Sequence, residues 1–154
     1  MAENNNGKCI DCGRCTKVRK FLNKYNINSD DYKHMPELAY SCYLCNECVR
    51  VCPVGINGRK ISWEMRNNFI EGGGRLKGAG YNLLLWEKED YLFKNYKNAS
   101  YKSVLFTGCN FPAYFPKTTQ IIVSRLMNEE GIGTITDCCG KPVSELGMSD
   151  KGET

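Results

Sequence analysis

Residues 42–53 read CYLCNECVRVCP. Cys42, Cys45 and Cys48 are three positions apart, Cys52 follows after three further residues, and Pro53 comes next. Upstream, residues 9–21 read CIDCGRCTKVRKF and repeat the step with Cys9, Cys12 and Cys15. A complete repeat would put a fourth cysteine at position 19, but Arg19 stands there. Cys109, Cys138 and Cys139 bring the total to ten cysteines in 154 residues. The fold turns on what thiols at this step are arranged to hold.

C-x2-C-x2-C-x3-C-P is the run that binds iron–sulfur clusters in ferredoxins. A cubane presents its iron corners to one short loop. Three thiols at a three-residue step can wrap it while the fourth leaves on the next segment and ligates the other cluster. Pro53 suits a chain that must turn sharply there. Under that crossover rule Cys9, Cys12, Cys15 and Cys52 hold cluster one. Cys42, Cys45 and Cys48 hold cluster two, whose fourth ligand is missing at Arg19. A guanidinium carries only donors and stays protonated, so it does not replace a thiolate. The expectation is therefore two [4Fe–4S] clusters, the second held by three cysteines or present as [3Fe–4S]. Loss of a ligand through sequence variation weighs above a designed open iron corner.

Zinc is the competing reading, because zinc sites also use C-x2-C pairs and four cysteines. A third cysteine at the same step in both groups, and seven thiols in all, fit two cubanes better. Disulfides fit least. The start MAENNNGK lacks the basic and apolar regions of a secretory signal, and the cysteine content falls short of a secreted disulfide scaffold. The cytoplasm is the expected compartment. No apolar run approaches the roughly 18 residues a membrane span needs, so membrane contact is expected only through a partner. His34 is the only histidine and reads as solvated rather than as a ligand.

The net charge of +4 is unevenly placed. Residues 1–60 hold ten Lys and Arg against six Asp and Glu, and residues 61–154 hold eleven against eleven. Lys8, Arg14, Lys17, Arg19, Lys20 and Arg50 adjoin the ligands in sequence. A basic surround suits an anionic cluster as well as an ordinary surface. Aromatic residues fall at helical spacing and do not alternate with the basic ones, so no nucleic-acid partner is expected.

Val18, Phe21, Leu22 and Tyr25 form one helical face in TKVRKFLNKY. Asn28, Ser29 and Asp30 offer cap chemistry before a partly helical stretch, which Pro36 starts or bends. A helix is expected from about Gly58 to Glu71, then a turn region over GGGRLKGAG. Leu84, Leu85, Tyr91, Leu92 and Tyr96 are available for one side of a further helix. KSVLFTGC reads as a buried strand, PKTTQIIVSRLMNEEG as an amphipathic helix and IGTITDCCG as a second strand. That βαβ order implies a parallel pair with a right-handed crossover. The predicted class is α+β. A mostly α-helical ferredoxin-like domain spans 1–98, and the first part of an α/β domain spans 99–154. Phe21, Leu44 and Ile56 are expected to pack near the clusters or in the core beside them.

CIDCGRCTKV, SCYLCNECVRVCPVGI and FTGCNFPAY followed by DCCGKPVSELG together resemble the iron–sulfur subunits of heterodisulfide reductases. The same parts occur in the iron–sulfur subunits of anaerobic glycerol-3-phosphate dehydrogenase and of glycolate or lactate oxidases. The resemblance runs roughly from Lys8 to Gly147. It implies an electron-transfer subunit of an anaerobic oxidoreductase complex, not a self-sufficient enzyme, with no catalytic residue of its own. Electrons would pass between the clusters and a flavin or thiol/disulfide partner, and the partners would be other subunits, a flavoprotein among them. It further implies that Cys109, Cys138 and Cys139 belong to a CCG module that binds another iron–sulfur centre or zinc. The family completes that module with a later C-x2-C pair, which does not occur before Thr154. The expectation is a fragment of a longer chain, or completion by a partner. A zinc-stabilised binding module and a non-redox fragment are the alternatives.

Overall fold

The computed structural model describes residues 8–77, 79–89, 91–96 and 102–148. The class is α+β: mostly helix, with one small parallel sheet. The chain divides into two compact units, one of residues 8–75 with 144–148 and one of residues 76–143. The expected boundary between residues 98 and 99 lies outside the described residues. The two compact units divide after Arg75, and the helix that follows belongs to the second unit.

In the first unit each cysteine loop runs into a five-residue helix, α1 (Arg14–Val18) after the first and α4 (Glu47–Val51) after the second. Between them lie α2 (Lys20–Tyr25), α3 (Ser29–Tyr32) and a 3₁₀ helix over Pro36–Ser41. α5 (Gly58–Glu71) closes this part, with the bounds read from its sequence. Pro36 sits in the first turn of the 3₁₀ helix, where its missing N–H costs nothing. The continuous helix expected through Val18 to Tyr25 is two helices. Arg19 is extended (φ −113°, ψ 106°) and turns the chain between them. As a result Leu22 is buried, while Val18 and Tyr25 of the expected face are exposed.

Burial gathers around the cysteines. Cys15, Leu22, Tyr32, Leu38, Ala39, Cys42, Leu44, Cys48 and Met65 form one core, with Phe21 packed edge-on against Tyr32. Leu44 and Ile56 are buried and Phe21 is partly buried, in line with the packing role expected of them. Asn28 caps α3 through a reciprocal box. Its side chain accepts from the N–H groups of Asp30 (2.7 Å) and Asp31 (2.9 Å), and its own N–H donates to the Asp31 carboxylate (3.1 Å). Asn28→Ala should lower stability by about 1 kcal/mol, read as a reduced denaturation midpoint.

The second unit begins with α6 (Ala79–Glu89). The helix expected to run on to Tyr96 ends at Glu89. Tyr91 is buried, Leu92 and Tyr96 are exposed, and Asn95 pairs antiparallel with Thr136. β1 (Val104–Phe106) is followed by a short α7 (Asn110–Tyr114), α8 (Pro116–Glu129) and β2 (Gly133–Ile135). The strands pair in parallel, with Val104 opposite Gly133 and Phe106 opposite Ile135, so the strand–helix–strand order holds; β1, however, is not the buried strand expected, since Val104 and Phe106 are exposed. α9 (Lys141–Glu145) is the last helix among the described residues. Residues 144–148 make their bonds in the first unit. There Trp63 Nε1 donates to the Ser144 carbonyl (3.0 Å) and Tyr40 Oη to the Leu146 carbonyl (2.9 Å).

Candidate metal centre

The two cysteine loops share a backbone feature. In the first, Asp11 (φ 50°) and Gly13 (φ 66°) are left-handed; in the second, Leu44 (φ 55°) and Asn46 (φ 67°) are. Each pair occupies the same two offsets within C-x2-C-x2-C. A side chain in this region costs about 1–2 kcal/mol, and Leu44 is a bulky residue with no local hydrogen bond to offer in return. Two loops that accept the same strain at the same offsets curl in the same way. The curl turns backbone N–H groups onto sulfur. Asp11 N donates to Cys9 Sγ (3.4 Å), Leu44 N to Cys42 Sγ (3.4 Å), and Ile56 N to Cys52 Sγ (3.2 Å).

Arg19 and Cys52 occupy matching places. Each is the extended residue that ends the short helix after its loop, four positions beyond the last loop cysteine. The Arg19 side chain crosses to the other loop, as the crossover rule requires of a fourth ligand. Nη1 donates to Cys45 Sγ (2.6 Å) and Nη2 to Cys42 Sγ (3.2 Å), with the residue only 6% exposed. Burial works against the guanidinium charge, but the sulfurs of Cys42, Cys45 and Cys48 outweigh it and hold the Arg19 pKa above the ordinary arginine value. Burial pushes the Cys48 thiol up, against the opposing pull of Arg19. Cys52 lines a surface cleft of about 410 Å³ with Arg14, Lys17 and Val18 of α1 and with Arg50.

Behind the second loop, Arg19, Phe21, Ser29, Tyr32, Cys42, Cys48 and Gly58 surround a small cavity. Ser29 is 2% exposed, and its hydroxyl is the one buried side-chain polar atom left unbonded among the described residues. An unbonded buried hydroxyl is costly and calls for a partner at that spot. Gly58 is needed for space: a Cβ there would lie 2.9 Å from Cys48 Sγ and 3.4 Å from Ser29 Oγ. Gly58→Ala should therefore cost about 1–3 kcal/mol through overpacking, although alanine favours the helix. Thermal denaturation of the two proteins side by side checks this.

No protein-family model, curated protein or solved structure matches the chain. The site must therefore be judged on its own chemistry.

Among the described residues no three Cys, His, Asp or Glu side chains are close enough together to hold a single ion. Cys15, Cys42 and Cys48 are buried, Cys9 and Cys52 are half-buried, and Cys12 and Cys45 are exposed. His34 is exposed, as its sequence context implies. Of the basic residues beside the ligands only Arg19 is buried; Lys8, Arg14, Lys17, Lys20 and Arg50 are exposed. In the second unit Cys109 is half-buried, Cys138 is buried and Cys139 is exposed; burial pushes the Cys138 thiol up.

Sequence reasoning missed Arg66. It is buried in α5, and Nε donates to the Ala39 carbonyl (3.1 Å), Nη2 to the Cys42 carbonyl and Nη1 to the Glu145 carbonyl (2.6 Å). A basic residue on the same helical face as Ser62 and Met65 was the available signal. No helix among the described residues is long and apolar enough to cross a membrane.

Proposed function

We propose that the first unit is an electron-carrying module that holds two iron–sulfur clusters. Cys9, Cys12, Cys15 and Cys52 ligate one. Cys42, Cys45 and Cys48 ligate the other, a three-iron cluster. The observation that carries this reading is the matched pair of strained loops, with Arg19 and Cys52 in equivalent places after them. A mononuclear site gathers its thiolates on one ion at about 2.3 Å. A cubane takes one thiolate at each iron corner, so its ligands stand farther apart. The donor set fits in kind: thiols, N–H groups aimed at sulfur, and an unbonded hydroxyl beside Cys48.

The clusters, when bound, supply one-electron transfer. The chain's own part is to fix their ligands and keep water away. Leu22, Leu38, Leu44 and Met65 do the latter. Arg19 brings a buried cation to the second site, which favours the more reduced, more negative state. Such a module serves other subunits of an oxidoreductase complex, a flavoprotein among them, which accept or donate the electrons.

The test is anaerobic reconstitution with iron and sulfide. The expected product is brown, with a broad thiolate-to-iron band that dithionite bleaches. It should carry about seven iron atoms per chain and show the EPR signal of an oxidised three-iron centre. A colourless protein with zinc, or with no metal after oxygen-free handling, would sink the proposal.

A further inference from the structure

Arg14 and Lys17 of α1 and Arg50 of α4 stand around the surface cleft of about 410 Å³ that Cys52 lines. All three cations are exposed, and no carboxylate lines the cleft with them. Arg50 has one ion pair, with Glu47 at 2.7 Å, and both partners are exposed enough for water to screen it. Arg14 and Lys17 have no acidic partner among the described residues. They are three positions apart on one short helix, where like charges repel. The fold itself gains nothing from that pairing, whereas an anionic partner would relieve it. Val18, which is exposed, and Val51 and Pro53 add apolar surface beside the cations.

We propose that this cleft docks the acidic face of a protein partner, whose carboxylates pair with Arg14, Lys17 and Arg50 while its apolar side chains cover Val18 and Val51. Protein interfaces combine charged and apolar surface in this way, and complementary charge speeds the encounter and sets the orientation. A small anion fits less well. Small-molecule sites enclose their ligand and hold a few polar groups in fixed places, whereas these cations all stand exposed. A nucleic acid also fits less well, because no aromatic side chain lines the cleft to stack on a base. The docking stands by itself; the electron route through it rests on the cluster reading. Cys52 is half-buried in the cleft and is, on that reading, a ligand of the four-iron site. A docked partner's redox centre gives up or takes one electron there, and the four-iron site gains or loses that same electron.

The test measures binding of fluorescein-labelled decaglutamate to the full chain by fluorescence anisotropy at low salt. The unaltered chain should bind it, and added salt should weaken the binding. Arg14→Glu with Lys17→Glu should weaken it by about tenfold, and Arg14→Gln with Lys17→Gln should fall between. Lys117→Glu with Arg125→Glu makes the same change of charge at exposed positions of α8 in the second unit and should weaken binding far less. Absence of binding, equal weakening in the two charge-reversed chains, or tighter binding of decathymidylate or of inorganic pyrophosphate would overturn the docking assignment. The electron route is read on reconstituted protein, reduced with dithionite and freed of the excess. Its one-electron oxidation by the anion cobalt(III)–EDTA should slow by about tenfold in Arg14→Glu with Lys17→Glu, and oxidation by the cation hexaammineruthenium(III) should quicken. Unchanged rates would overturn the route through Cys52. A chain that binds decaglutamate in this pattern yet takes up no iron would overturn the cluster reading and support the docking face.

Discussion

Arg19→Cys should convert the second cluster from three irons to four, raising the iron content from about seven to about eight atoms per chain. The position is already built for a ligand. Arg19 ends α1 in extended conformation, as Cys52 ends α4, and its side chain already spans to the sulfurs of Cys42 and Cys45. The backbone matches that of Cys52, whereas the side chain is wrong for binding iron, since a guanidinium offers donors and no lone pair. A thiol on the same backbone offers one. Iron and sulfide analysis with EPR after anaerobic reconstitution measures the change, and the three-iron signal should vanish. Arg19→Leu separates ligation from charge. It should leave the iron count near seven and lower the potential of the second cluster by on the order of 100 mV, because the buried cation no longer offsets the added electron. Eight irons in the unaltered protein would mean that a three-cysteine site retains its fourth iron and that Arg19 disables nothing.

Arg66→Met should cost about 3–5 kcal/mol of stability in the first unit, the range for stranding buried partners of a charged group. One guanidinium serves the carbonyls of Ala39, Cys42 and Glu145, from the 3₁₀ helix, the second cysteine loop and the returning segment respectively. It also lies over the Tyr40 ring, 5.0 Å from its centroid. Methionine fills much of the volume but bonds to none of them. The Ala39 carbonyl would keep the Ser62 hydroxyl at 3.0 Å, whereas the Cys42 carbonyl would lose the partner described here. Arg66→Lys should recover little, since one ammonium on a flexible stem does not reach three acceptors in fork geometry. Denaturant titration under oxygen-free conditions reads the loss. A change below about 1 kcal/mol, the size of one ordinary hydrogen bond, would show that these carbonyls find other partners.

The two predictions differ in how visible their residues are beforehand. Arg19 stands out because it interrupts a counted repeat, so a fault at position 19 is evident from spacing alone. Its inward path is not. Nothing in TKVRKFLNKY marks a break: there is no proline or glycine, and Val18, Phe21, Leu22 and Tyr25 fall at helical spacing. The break exists because Arg19 turns inward to sulfurs more than twenty positions away. Arg66 shows the opposite failure. Hydrophobic patterning assigns a basic residue in a fourteen-residue helix to the surface, and only the arrival of three carbonyls from separate segments makes burial tolerable. In the same way Asn95, expected within a helix, instead pairs with Thr136, a long-range contact that local patterning does not carry.

The sequence alone determined what repeats locally: two cysteine loops with a fault in one, the helix from Gly58 to Glu71, and a strand, helix and strand implying a parallel pair. These depend on side-chain spacing along one segment, which the chain states directly. Tertiary structure alone decided which groups meet: the Arg19 guanidinium against the sulfurs of Cys42 and Cys45, Ser29 and Cys48 around one small cavity, and Arg66 against the carbonyls of three separate segments. Such meetings depend on backbone turns and hydrogen bonds between distant segments, and those form only when the chain is packed.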